Sequence, residues 1–367
     1  MRILTVLLFA SLCHGQALFR AQNVSAASAS CGGNGFTSCK TLTIQSGQIT
    51  GTLTNFTMLV SDTDTTLKST GNGGTVTDAQ GDDIVFTSDS GCTTLLSWDP
   101  LDSWSSSTGA IITYVKVASI AVGTKIYRCS GKSAITTFQG GSTGSAWDSN
   151  FKSVLHLPNG TSLTALDSTS NATNGTITGA VAGSGQIDGA ASFSSSGDQI
   201  SLGTALNASG MPFNVSTSPF TISFWLKLSG SGLEQIFGDD SATASRTIDY
   251  NNSGCAGTNA LGLVDGNNAC IAQAAYSANL GTWHHLAWTY DGTSAHVLYI
   301  DGVSAATGSH LMNAGYAGNT ILAGTFSSNQ TVGLEDEVRV SGVVRSAAWI
   351  AAEFNNENSP SEFYFVS

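Results

Sequence analysis

The sequence predicts an all-β protein made of two β-sandwich units. Three observations carry that expectation. The chain holds 42 glycines among many Ser, Thr and Asn residues, a composition of turns and strands rather than helices. The stretch FTISFWLKL, residues 220–228, alternates strictly. Phe220, Ile222, Phe224, Leu226 and Leu228 fall on one side; Thr221, Ser223, Trp225 and Lys227 fall on the other. Asp-Gly pairs at 291–292 and 301–302 supply hairpin-turn chemistry beside such runs.

The elements follow in chain order. Met1-Arg2, the apolar ILTVLLFA and the small residues of SLCHGQA read as a secretory signal peptide over residues 1–15, with cleavage after Gly15 or Ala17. Cys13 invites lipidation, but Leu12 stands where that process needs a small residue. Residues 16–35 include NVSAASAS and read as a flexible segment. Residues 36–150 carry strand signals in TLTIQSGQIT, NFTMLVS, DDIVFTS, AIITYVKVASI and TKIYRCS, divided by Gly, Asp and Ser clusters. Residues 151–367 form the second unit, with one short helix near its end. In SAAWIAAEF, Ser346 caps it, and Ile350 and Phe354 share a side.

Charge and cysteine content narrow the function classes. Only 10% of residues are charged and the formal net charge is −12, so nucleic acid is not an expected partner. No segment after the leader is long and apolar enough to span a bilayer. Removing Cys13 with the leader leaves six of the 7 cysteines, which suggests three disulfides. Short loops favour Cys31–Cys39, Cys92–Cys129 and Cys255–Cys270, although sequence alone leaves the pairing open.

Several motifs together carry a family resemblance. TLTNFTMLVS, SWDPLDSWSSSTGAIITYVKV and TKIYRCSGKS resemble the bacterial DUF2341 domain. Cys129 departs from its tyrosine-rich pattern. WDSNFKSVLHL, FTISFWLKL, WHHLAWTYDG, LYIDGV and GLEDEVRVSGVVRSAAWIAAEFNNENSPSEFY resemble a LamG-like jelly roll of the concanavalin A-like lectin/glucanase kind. Here Glu335 replaces an aliphatic residue of the usual pattern. The resemblance implies binding, adhesion or spacing rather than one chemistry. It also implies a structural Ca²⁺, for which Asp167, Asn171, Asn174 and Asp336 are the candidate oxygen ligands.

The candidate sites divide by chemistry. For sugar stacking, Trp225 lies on the non-core side of its strand, and Trp288 and Tyr290 share a side. Trp98, Trp104, Trp147 and Trp349 read as packing anchors. His284 and His285 are neighbours on a strand and point to opposite sides, so they cannot grip one metal together. A turn centred on 291–294 sets His285 opposite Ile300 and His284 opposite Asp301. Glucanases of this fold resemble an E-x-D-x-x-E strand. Glu335 and Glu337 would share a side roughly 6–7 Å apart, though the third acid is missing. The expectation is a secreted, non-catalytic protein that binds extracellular carbohydrate or a surface protein. The alternatives are a structural or protein-binding module, or a glycoside hydrolase.

Overall fold

The computed structural model describes residues 34–367 apart from 101, 159–161, 231, 240–245, 256, 267–268, 277–278, 314–317 and 324–330. The expected signal peptide, most of the flexible segment and Cys31 lie outside the described residues. The architecture is all-β: two sandwiches and a short helical segment near the C-terminus.

The first sandwich contains β1 (Ser38–Ile44), β2 (Leu53–Thr63), β3 (Val85–Thr87), β4 (Ser97–Trp98), β5 (Ser103–Trp104), β6 (Ala110–Ile120) and β7 (Lys125–Ser130). One sheet joins β1, β7 and β3; the other joins β2, β6 and β4, with β5 also on β6. Leu42, Phe56, Met58, Phe86 and Trp98 fill the space between them. Cys92–Cys129 ties the segment after β3 to β7, so the departure seen at Cys129 is half of a disulfide.

The second sandwich contains β8 (Phe151–Leu155), β9 (Thr176–Thr178), β10 (Val181–Ser184), β11 (Gly189–Phe193), β12 (Gln199–Ser201) and β13 (Phe220–Leu228). It continues through β14 (Glu234–Asp239), β15 (Arg246–Tyr250), β16 (Ala260–Asp265), β17 (Ala269–Ala275), β18 (His284–Tyr290) and β19 (Ala295–Ile300). The last members are β20 (Val303–Ser309), β21 (Thr320–Leu322) and β22 (Gly333–Ser341). One sheet runs β10-β11-β22-β13-β18-β19-β20, with β8 also on β22; the facing sheet runs β17-β16-β15-β14-β21-β12-β9. The alternation in β13 works as expected: Phe220, Ile222, Phe224, Leu226 and Leu228 all enter the core between these sheets. The expected Cys255–Cys270 disulfide links the 251–257 segment to β17.

The two sandwiches meet along the outer face of the β13–β22 sheet. Helix α1 (Ala347–Asn358) lies on that face, begun by Ser346, whose side chain accepts the Trp349 N–H. Arg345 pairs with Asp148 at 2.9 Å and lies between the rings of Phe151 and Trp349. The chain then crosses back. Asn356 exchanges two hydrogen bonds with the Leu59 backbone at 2.7 and 3.1 Å. After α2 (Pro360–Phe363), β23 (Tyr364–Val366) pairs antiparallel with β1.

The hairpin register differs from the sequence expectation by one residue. Tyr290 pairs with His296 and Leu286 with Ile300. The Asp291 carboxylate collects the N–H groups of Thr293, Ser294 and Ala295, which stabilises a longer turn than the one assumed.

Candidate functional site

The three aromatic residues expected to stack on sugar are all buried. Trp225, Trp288 and Tyr290 are 1%, 0% and 1% exposed. Trp225 does leave the core face of β13, but α1 covers it: its Nε1 donates to Glu357 at 2.7 Å, and its ring lies 5.8 Å from that of Phe354. Trp288 and Tyr290 pair with Ile222 and Phe220 and point into the core between the sheets. Trp288 Nε1 meets His296 Nδ1 at 3.1 Å, and the Tyr290 hydroxyl donates to the Ser216 carbonyl at 2.7 Å. They are scaffold, and the stacking expectation is corrected.

The candidate calcium ligands have separate duties. The Asp167 carboxylate accepts N–H bonds from Val154, Thr169 and Thr173 and the Thr169 hydroxyl. Asn174 accepts the Asp167 N–H, and Asn171 donates to the Phe151 carbonyl. Asp336 accepts from Gln186 and Ile187 N–H at 3.0 and 2.9 Å. Donors thus already surround the Asp167 oxygens, whereas Oδ1 of Asp336 has no hydrogen-bond partner among the described residues.

The adjacent histidines diverge as expected, and each meets a different carboxylate, while Nδ1 of His285 has no hydrogen-bond partner among the described residues. His284 Nδ1 lies 2.7 Å from Asp301, and His285 Nε2 lies 3.1 Å from Glu353 beneath α1.

Glu335 and Glu337 do not share a face, which corrects the paired-acid expectation. A bulge in β22, with Glu337 at φ 53, shifts the register against β13 between Ser223 and Trp225. Glu335 pairs with Leu226 and so faces the apolar core, whereas Glu337 reaches the outer face. Burial alone pushes the Glu335 carboxyl well above the usual range, and its Oε1 has no hydrogen-bond partner among the described residues.

What the fold brings together instead lies at the seam of the two sandwiches. His156, just past β8, sits with Nδ1 at 2.9 and 3.1 Å from the Glu337 oxygens and Nε2 at 3.2 Å from Asp99. Asp102, Glu337 and His156 each present one ligand atom within 4.8 Å of the others. The Tyr114 ring stacks on His156 at 4.8 Å, and Trp147 Nε1 donates to Asp99 at 2.5 Å. Arg339 binds Glu337 at 2.8 Å, reaches Glu353 at 3.5 Å and also pairs with Glu357.

The charges tune one another. Burial opposes charge on His156, yet Asp102, Glu337 and the hydrogen bonds to Asp99 and Glu337 hold its pKa well above the ordinary value. Desolvation raises Asp102 to about 7 despite His156. Burial also lifts Glu357 to about 7, helped by Glu353 and Glu337 against Arg339. Glu353 is buried too, but Arg339 and the His285 hydrogen bond hold it near 2.

Two adjoining clefts flank this cluster. One of about 280 Å³ is lined by Gln80, Gly81, Asp82, Ile84, Trp98, Pro100 and Phe138. The other, of about 190 Å³, shares Pro100 and Phe138 and adds Asp99, Thr143, Asp167 and Ser168 among its lining. Phe138 stands edge-on to Trp98 at 5.5 Å. Sequence reasoning placed Trp98 as an anchor and gave no role to His156 or Asp102. Two signals were present. His156 interrupts the apolar VLHL, and the triplet Glu335-Asp336-Glu337 stands out where only 10% of residues are charged.

Comparison with known proteins agrees with the second sandwich. Residues 194–351 match the model of the concanavalin A-like lectin/glucanases superfamily. That match and the topology make this unit a lectin-type β-sandwich. No curated protein matches the chain. Among solved structures, domain 4 of a GH43 extracellular arabinanase from Geobacillus stearothermophilus, in complex with arabinotriose, is 19% identical with a TM-score of 0.45; the match covers 56% of this chain and 98% of that one. The binding domain of Paraclostridial Mosquitocidal Protein 1 is 16% identical at TM-score 0.42, over 56% of this chain and 52% of that one. The receptor binding domain of botulinum neurotoxin D is 15% identical at TM-score 0.44, over 57% and 53%. The chain thus spans about half the length of the two toxin structures.

Proposed function

We propose that the protein is a secreted, non-catalytic carbohydrate-binding or adhesion protein, and that its ligand lies in the two adjoining clefts. The observation that carries this reading is their chemistry. An apolar floor of Trp98, Pro100 and Phe138 is rimmed by Gln80, Asp82, Thr143 and Ser168. A sugar ring offers an apolar C–H face and polar edges, which such a floor and rim match. The lectin-type second sandwich supports the class, and the two disulfides support a place outside the cytoplasm. We carry the leader peptide and the DUF2341 likeness of the first sandwich as parts of the same proposal. The separation of Glu335 from Glu337 favours binding over glycoside hydrolysis.

The test uses the full chain in pull-downs on insoluble polysaccharides and on a glycan array, followed by Phe138→Ala on any ligand found. Phe138 is half-buried against Trp98, so near-UV circular dichroism of the variant must first match the wild type. The expected result is saturable binding that weakens at least about tenfold in the variant, the scale of losing one stacking contact. No binding at millimolar sugar, with calcium present, removes the carbohydrate reading. Binding indifferent to Phe138→Ala removes the clefts from it.

A further inference from the structure

We propose that Asp102, His156 and Glu337 form a binding site for one divalent transition-metal ion of the zinc or manganese class, at the seam between the sandwiches. The inference does not depend on any glycan. Its starting point is convergence from three distant places in the chain. Asp102 precedes β5 in the first sandwich, His156 follows β8, and Glu337 occupies the β22 bulge. Their ligand atoms nonetheless lie within 4.8 Å of one another. The bulge is what turns Glu337 to this side of its strand, and bulges are a common way to re-aim one side chain.

The donor set selects the ion. Two carboxylates and an imidazole suit zinc or manganese, whereas calcium and magnesium prefer oxygen alone. The outer contacts match a metal centre as well. Metal-bound histidines usually give their second N–H to a carboxylate. Asp99 sits on Nε2 of His156 at 3.2 Å and is itself held by Trp147 Nε1 at 2.5 Å. That leaves Nδ1, the nitrogen facing Glu337, as the ligand atom. Arg339 holds Glu337 in place by donating at 2.8 Å to Oε2, an oxygen that His156 also contacts. When the ion enters, the proton between Nδ1 and Glu337 leaves to solvent.

Two further observations point to a missing partner. The Tyr114 side chain is wholly buried against His156, yet its hydroxyl has no hydrogen-bond partner among the described residues. The ring that carries this hydroxyl lies against the cluster, 4.8 Å from the His156 ring and 5.0 Å from the Arg339 guanidinium. A bound water or hydroxide on the ion would give the hydroxyl a partner. The Asp102 carboxylate is also without a hydrogen bond among the described residues, and Asp102 is the least buried of the three. Elsewhere, the sulfurs of Cys39, Cys92 and Cys129 also cluster, but Cys92 and Cys129 are joined as a disulfide and offer no thiolates.

The experiment is calorimetric titration of the full chain, stripped with EDTA, using Zn²⁺, Mn²⁺ and Ca²⁺ separately. It is repeated on Asp102→Asn, which leaves both carboxylate partners of His156 in place. The proposal expects one zinc per chain, calcium at least about a hundredfold weaker, and a loss of at least about tenfold in zinc affinity for the variant. Cobalt(II) loading provides a second readout: visible bands of a nitrogen–oxygen site that Asp102→Asn alters. No zinc saturation by roughly 100 μM, far above the affinity of a built site, overturns it. So do unchanged affinity in the variant, tighter calcium binding, or sulfur-to-cobalt charge-transfer bands.

Discussion

The two faces of β22 are buried to a similar degree by opposite means. On the inner face Val338 and Val340 join Phe224, Leu226 and Trp288 in a core closed by dispersion and water exclusion. On the outer face Asp336, Glu337 and Arg339 are equally hidden, under α1 and the first sandwich. Burial therefore does not dictate polarity here; the covering element does. The second sheet brings apolar side chains, while α1 brings Glu353 and Glu357 and the first sandwich brings Asp99. A buried ion pair repays its desolvation only with near-ideal partners, so the outer face specifies how the units dock more than it stabilises them.

The largest expected effect comes from breaking the outer face. Arg339→Met leaves Glu337, Glu353 and Glu357 without their shared guanidinium, and removing one partner of a buried pair costs about 3–5 kcal/mol. Urea unfolding followed by fluorescence should show the loss; a cost below about 1 kcal/mol, the surface-pair range, would mean water already screens the seam. On the inner face, Leu226→Ala creates a cavity and should cost about 3 kcal/mol. Because the two side chains leave opposite faces of the sheet, the double variant should be additive within about 0.5 kcal/mol. Strong coupling would show that the faces are not independent.

The inner face was legible in the sequence and the outer face was not, for a physical reason. Strand period is local information, so Phe220–Leu228 could be read residue by residue, and Ser346 announced its helix by capping chemistry. The alternation even put Trp225 on the outer face correctly. What it could not supply was the cover, because Glu357 is 132 residues away in sequence. The same holds for His156 and Glu337, which are separated by 181 residues. Local rules also failed where side chains rewrote the backbone. Asp291 lengthened a turn, and the bulge at Glu337 ended the simple alternation that would have kept Glu335 and Glu337 together.

Glu335 is the exception on the inner face and gives a pH test of the comparison. Burial alone raises its folded pKa well above the unfolded value, so the folded state holds the proton more tightly. The sign follows. Its contribution is fully present below the unfolded pKa of about 4.3 and is lost as pH rises toward the folded value. Glu335→Gln removes this dependence. Between about pH 5 and 8 the variant should gain on the wild type by up to about 1.4 kcal/mol per pH unit, while the other buried acids cancel in the difference. Parallel stability curves would show that Glu335 is hydrated or paired.

The smallest effect concerns the helix that carries the outer face. Ser346 accepts the Trp349 N–H, satisfying one of the open donors at the start of α1. A lost serine cap costs about 1 kcal/mol when the helix stays docked, so Ser346→Ala should lower stability by that amount. Docking is held by other contacts: Arg345 on Asp148, Asn356 on Leu59 and Glu353 on His285. Those contacts survive the substitution, and Trp225 should keep its buried fluorescence. A loss well above about 2 kcal/mol, the top of the capping range, together with a red-shifted emission, would mean that the cap sets the register of Glu353 and Glu357 against Arg339. The seam would then depend on one hydroxyl at the helix start as much as on the charges it brings together.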